Sequence, residues 1–130
     1  MIRVVESRLG GPIVVQGDGT PRRPYLYAAD LAIWLWSIAF RGQSCRPYNA
    51  GSPESPTIQD LARLASDHFV PRPVVEVRGA SQPRTTIQRY VPDTTWARLE
   101  LGLALTIALP DALSRTIRYL RSASGQSWSA

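Results

Sequence analysis

Apolar and polar positions along this chain fall into two rhythms. Residues 13–16, Ile-Val-Val-Gln, are short, β-branched and bounded by glycines, which predicts a strand. The next stretch, GDGTP, is a turn, because Gly17 and Gly19 permit positive φ and Asp18 can cap its own backbone. Residues 31–40, LAIWLWSIAF, are apolar on nearly every side, which predicts a helix buried on several faces. Asp30 stands where an N-cap belongs, and Gly42 ends that helix. CRPYNAGS, residues 45–52, reads as a short strand running into a Gly-Ser turn. A helix follows from Thr57, which with Asp60 suits a capping box. Its apolar face carries Ile58, Leu61, Leu64 and Ala65, and Pro71 and Pro73 stop it.

VVEVRG, residues 74–79, predicts another strand, and a polar loop follows it. RYVPDTTWARLELGL then gives an extended segment and a helix capped at Asp93 or Thr94, with Gly102 as its C-terminal stop. The last helix is amphipathic, with Leu109, Ala112, Leu113, Ile117 and Leu120 inward. The tail ASGQSWSA reads as frayed. The expected fold is a small mixed α/β lobe with three short strands and about four helices. Its domain spans residues 1–121, with a flexible tail at 122–130.

Composition narrows the chemistry. The length suits one domain or part of one, and no apolar run reaches the roughly 18 residues of a membrane span. No signal peptide is visible at the N-terminus, and Cys45 alone forms no internal disulfide, so a reducing, cytoplasmic setting is expected. One cysteine and one histidine, His68, give little for a metal centre or a Ser-His pair. The net charge is +5, yet all 15 basic residues are arginine and they are scattered. Nucleic-acid binders concentrate such charge on one face or tail, so nucleic acid is not the expected partner. The absence of lysine excludes a Schiff base, a phosphate-loop lysine and a Tyr-x-x-x-Lys proton relay.

Single residues mostly have plain structural readings. Trp34 and Trp36 read as core, His68 as a solvated cation at a helix end, Cys45 as an inert small residue and Arg22 as a surface charge. Arg23 divides evenly between a surface arginine and a phosphate ligand. It follows a strand and a glycine turn, Pro24 stiffens its backbone, and a guanidinium there suits a bidentate grip on phosphate. Asn49 sits in YNAG beside a glycine that would admit a close ligand, or it is simply in a turn.

The order of these segments carries more than any one of them. GDGTPRRPYLYAADLA, then YNAGS, then a helix, then RYVPDTTWARLELGL resembles the C-terminal part of the extended short-chain dehydrogenase/reductases. More narrowly it resembles the NAD-dependent nucleotide-sugar epimerases and dehydratases. The family's late motif, D-x-x-[KR]-x-x-x-x-LG, is met here by Asp93 and Leu101-Gly102, with Trp96 at the commonest basic position and Arg98 two residues on. The match covers roughly residues 9–121.

The resemblance implies a lobe that binds the nucleoside diphosphate of a UDP- or dTDP-sugar. Arg23 would contact the diphosphate, Asn49 would lie against the same group, and Val14 and Gln16 would reach the base. Arg84 or Arg89 would be the second phosphate contact. NAD is implied for the full-length family, but the GxxGxxG cofactor loop of the Rossmann half has no counterpart in this sequence. The chain thus reads as a substrate lobe without its Rossmann half, with no cofactor of its own, and not catalytic alone. The alternative is an interaction or oligomerisation module, pairing with a second copy or with a separate Rossmann half.

Overall fold

A computed structural model describes residues 2–3, 11–79 and 90–123. Its element order is β1 (Ile2–Arg3), β2 (Ile13–Val15), α1 (Ala28–Arg41), α2 (Ile58–Ser66), β3 (Val75–Val77), α3 (Thr95–Leu101) and α4 (Leu109–Ala123). The sheet order is β1-β2-β3. β1 runs antiparallel to β2, with Ile2 opposite Val15. β3 runs parallel to β2, with Ile13 opposite Val75 and Val15 opposite Val77. A parallel pair needs a crossover, and α2 lies within it. The fold class expected from the sequence is therefore found, as a small mixed α/β unit. The strand predicted at 45–52 is absent: those residues form a turn and an extended run outside the sheet, and the third strand is Ile2–Arg3.

The apolar core has two parts. Ile13 and Val15 point from β2 onto Ala62 of α2, flanked by Ile58, Val75 and Val77. Trp34 of α1 packs with Ala97, Leu101 and Leu103, and with Ile38, Tyr48 and Ala50. The indole Nε1 of Trp34 donates to the Ala104 carbonyl at 3.2 Å. Gly102 makes this turn: its φ of 67° is left-handed, and the Leu103 amide reaches back to Ala97 at 3.2 Å.

Local sequence sets α2 as expected. The Thr57 side chain accepts from the Asp60 amide at 3.0 Å, and the Asp60 carboxylate accepts from the Thr57 amide at 3.3 Å. Its buried face is Leu61, Ala62 and Ser66, one position round from the predicted one, with Leu64 and Ala65 half-buried. Ser66 is at home there because its hydroxyl donates to the Pro73 carbonyl at 2.7 Å.

α1 departs from expectation twice. It begins at Ala28 with Tyr27 at the cap position, so Asp30 lies inside the helix and caps nothing. Asp30 is instead buried and accepts from the Thr106 and Ile107 amides, each at 3.1 Å, and from the Thr106 hydroxyl. Nor is α1 buried on several sides. Trp34 is 1% exposed, whereas Ile33, Trp36 and Phe40 are 54%, 64% and 78% exposed. Trp36 is thus not core. In α4, Ala112 is buried and Leu109, Leu113 and Ile117 are half-buried, but Leu120 is exposed. The helix runs to Ala123. No helix among the described residues is long and apolar enough to cross a membrane.

Candidate functional site

β2 delivers the chain into the GDGT turn, whose glycines have φ of 128° at Gly17 and 72° at Gly19, values that side chains resist. Asp18 closes the turn on Thr20, accepting from its amide at 3.1 Å and from its hydroxyl at 2.8 Å. Those two bonds hold the Asp18 carboxyl below the usual carboxylate range. The end of β3 presses on the same turn. The Gly79 amide donates to the Gly17 carbonyl at 2.9 Å, and a Cβ at Gly79 would overlap the Gly17 carbonyl carbon and the Asp18 nitrogen. Gly79→Ala is therefore expected to cost about 1–3 kcal/mol, because the obstructing atoms are backbone. An unfolding free energy from urea titration lowered by less than that would show that the turn gives way freely.

Past the turn, residues 19–23 lie along the start of α2. The Gly19 and Pro21 carbonyls accept from the Gln59 and Ile58 amides at 3.1 and 3.0 Å, and the Arg23 amide donates to the Pro56 carbonyl at 3.2 Å. Arg22 pairs with Thr57 in an antiparallel bridge, and its guanidinium donates to the Ser55 carbonyl at 3.0 Å. The leading amides of α2 are consequently spent on the chain itself. This arrangement fixes the backbone of Arg23, whose own guanidinium folds back to the Arg22 carbonyl at 2.9 Å. Burial pushes the neighbouring Tyr25 phenol up, and the Arg23 charge draws it partly back.

The YNAG and RYVPD segments meet directly. The Asn49 side-chain amide donates to the Asp93 carbonyl at 2.8 Å. A Cβ at Gly51 would lie 2.5 Å from the Pro92 ring, so the close approach that this glycine permits is taken up by Pro92. Asp93 in turn accepts from the Thr95 amide at 2.9 Å, and hydrogen bonds from Thr95 hold its carboxyl low. Of the expected site residues, Val14, Gln16 and Arg23 lie on one stretch of chain, β2 and the loop it feeds. Val14 is buried and by strand alternation points away from the α2 side of the sheet, while Gln16, in the bend just past β2, is exposed. Asn49 belongs to the second, Asp93 pair. Arg84 and Arg89 lie outside the described residues.

One cluster was not foreseen. The Arg46 guanidinium lies 3.6 Å from the Trp96 ring centroid and 2.5 Å from a Glu100 carboxylate oxygen. The Tyr48 hydroxyl donates to the other Glu100 oxygen at 2.7 Å. These contacts clamp residues 46–48 onto α3. Trp96, at the motif's commonest basic position, is thus capped by an arginine from another segment, and only that substitution hinted at it in the sequence. An open groove of about 460 Å³ beside the clamp is lined by Gln43, Ser44, Cys45, Arg46, Pro47 and Trp96. A smaller cavity of about 220 Å³ is lined by Trp34, Pro53, Arg98, Ala104 and Leu105.

No group of three or more metal-ligating side chains occurs among the described residues. The Gly19 carbonyl already holds the Gln59 amide of α2, so this glycine turn does not open onto a free helix N-terminus.

A β-α-β unit, a glycine turn that leads an arginine past a helix start, and a YNAG segment seamed to the late motif stand in the order in which the sequence resembles the extended short-chain dehydrogenase/reductases. The fold matches dTDP-glucose 4,6-dehydratase from Bacillus anthracis in complex with NAD, at a TM-score of 0.76 and 15% identity, over 94% of this chain and 38% of that one. It matches UDP-glucose 4-epimerase from Thermotoga maritima with UDP-glucose at a TM-score of 0.71 and 22% identity, over 88% of this chain and 36% of that one. In sequence, the chain is 29% identical over 116 residues to UDP-glucuronic acid decarboxylase 1 of Danio rerio, covering 89% of this chain and 27% of the relative. No protein-family profile matches. The chain is related to the NAD-dependent nucleotide-sugar epimerases and dehydratases and corresponds to a partial, C-terminal portion of them. It spans about a quarter of the length of the curated relatives it matches.

Proposed function

We propose that this chain is the part of a nucleotide-sugar epimerase or dehydratase that grips the nucleoside diphosphate, and that it transforms nothing alone. The observation that carries this reading is the fixed backbone of Arg23, pinned by the Arg22–Thr57 bridge and the bond to Pro56 at the end of a braced turn. In this reading the guanidinium leaves the Arg22 carbonyl for the diphosphate oxygens, which as charged acceptors are the stronger partner. Asn49 lies beside the same group, Val14 and Gln16 meet the base, and Arg84 or Arg89 supplies the second cation. Residues 1–121 form the binding unit. The ligand class is the one carried by the structural neighbour crystallised with UDP-glucose.

The test is thermal unfolding with UDP- and dTDP-sugars up to millimolar concentration. Binding to the folded chain raises its melting temperature as ligand exceeds Kd. Loss of a charge-assisted contact of about 1.5–3 kcal/mol predicts that Arg23→Ala weakens binding about tenfold to hundredfold. An unmoved melting temperature in the parent chain at millimolar ligand refutes the proposal.

A further inference from the structure

Residues 46–49 are tied to both ends of α3. At one end Glu100 is a hub: one carboxylate oxygen pairs with the Arg46 guanidinium at 2.5 Å, and the other accepts from the Tyr48 hydroxyl at 2.7 Å. That hydroxyl also accepts from the Gln43 amide at 3.2 Å. At the other end the Asn49 side chain donates to the Asp93 carbonyl, just ahead of the helix. The lengths agree: extended chain from Arg46 to Asn49 covers about 10 Å, and so does a helix from Asp93 to Glu100. Among the described residues Glu100 is the carboxylate paired with Arg46, and the buried Arg46 Nε has no hydrogen-bond partner. Without Glu100 the guanidinium keeps only the Trp96 face and the Gln43 side-chain oxygen.

We infer that Glu100 is a positioning residue: it fixes the register of residues 46–48 on α3 and so holds Asn49 in place to meet the nucleotide sugar. The inference rests on the role proposed above for Asn49 beside the nucleoside diphosphate. Asn49 is exposed, and the bond to Asp93 is a neutral one. A single neutral hydrogen bond at an exposed site is a weak tether, because water competes for both partners. The bonds that converge on Glu100 are charge-assisted and roughly twice as strong as neutral ones. They also act on the backbone immediately before Asn49, where the Tyr48 ring is packed against the Trp34 cluster. The side chain of Asn49 is therefore aimed chiefly by the segment that carries it, and Glu100 is the group on which that segment is fastened.

The test is a double-mutant cycle on the binding of UDP-glucose, followed by isothermal titration calorimetry. Glu100→Gln should weaken binding about threefold to tenfold in the parent chain, and less than about twofold where Asn49 is already replaced by alanine, because residues that act through one another are not additive. A merely structural loss would lower the affinity equally in both backgrounds. Should Glu100→Gln not fold, Tyr48→Phe removes one arm of the hub without changing its charge, and the same cycle is read. Equal losses in the two backgrounds overturn the inference, as does undiminished affinity in Glu100→Gln or in Asn49→Ala. A parent chain that binds no UDP-glucose instead refutes the diphosphate reading itself, and this inference with it.

Discussion

Trp34→Ala is expected to destabilise the chain by about 3–5 kcal/mol, and Trp36→Ala by less than about 0.5 kcal/mol. The two residues are neighbours of the same type on one helix, so propensity does not separate them. What separates them is burial: Trp34 is enclosed by Ala97, Leu101 and Leu103 and hydrogen-bonded to Ala104, while Trp36 touches Phe40 and solvent. Truncating Trp34 opens a cavity beside α3 and leaves the Ala104 carbonyl without that donor. Since a domain of this size has about 5–15 kcal/mol in total, Trp34→Ala should lie near the edge of folding at 25 °C. Urea unfolding of the two variants side by side checks this. Equal losses would mean that Trp36 is covered in solution.

Asp30→Ala comes next, with an expected loss of about 2–4 kcal/mol. A carboxylate acceptor gives each donor about 1.5–3 kcal/mol, and Asp30 serves three, though Thr106 lies at the surface where water replaces part of that. Burial alone would raise the Asp30 carboxyl. The hydrogen bonds from Thr106 and Ile107 outweigh it, with a smaller contribution from the Arg115 charge, and hold it below its usual value. Its stabilisation is thus complete above about pH 4, the unfolded value, and fades as the pH falls through the lower folded value. The gap between parent and variant should stay constant from pH 7 down to about 5 and close under stronger acid. A gap that widened in acid would contradict this assignment.

Much of the fold was legible where the signal is local. The Thr57 and Asp60 capping box, the left-handed Gly102 and the β-branched run at 13–15 each act within a few residues, and each stands where the sequence put it. Asp30 misled because an aspartate before an apolar run suits a cap, while its true donors lie 76 and 77 residues away. The apolar run of α1 misled for a related reason: all-round hydrophobicity does not say which face of the helix the rest of the fold covers. CRPYNAGS has the composition of a strand, but no strand among the described residues pairs with it. At the candidate site, the braced position of Arg23 could be read from Gly17, Gly19 and Pro24. The Asn49–Asp93 and Arg46–Trp96 contacts could not, since each joins segments more than forty residues apart.

The seam between residues 49–51 and 92–93 ties off everything from α2 through β3 as a closed loop of chain. Entropy charges little for the length of such a loop: doubling it costs only about 0.6 kcal/mol. The two ends of the loop tolerate far less, because Gly51 has no room for even a methyl group against Pro92. Descendants of this fold are therefore free to lengthen or shorten the connection after β3, while the few residues that close the loop stay fixed and hold the two halves of the candidate site at the same separation.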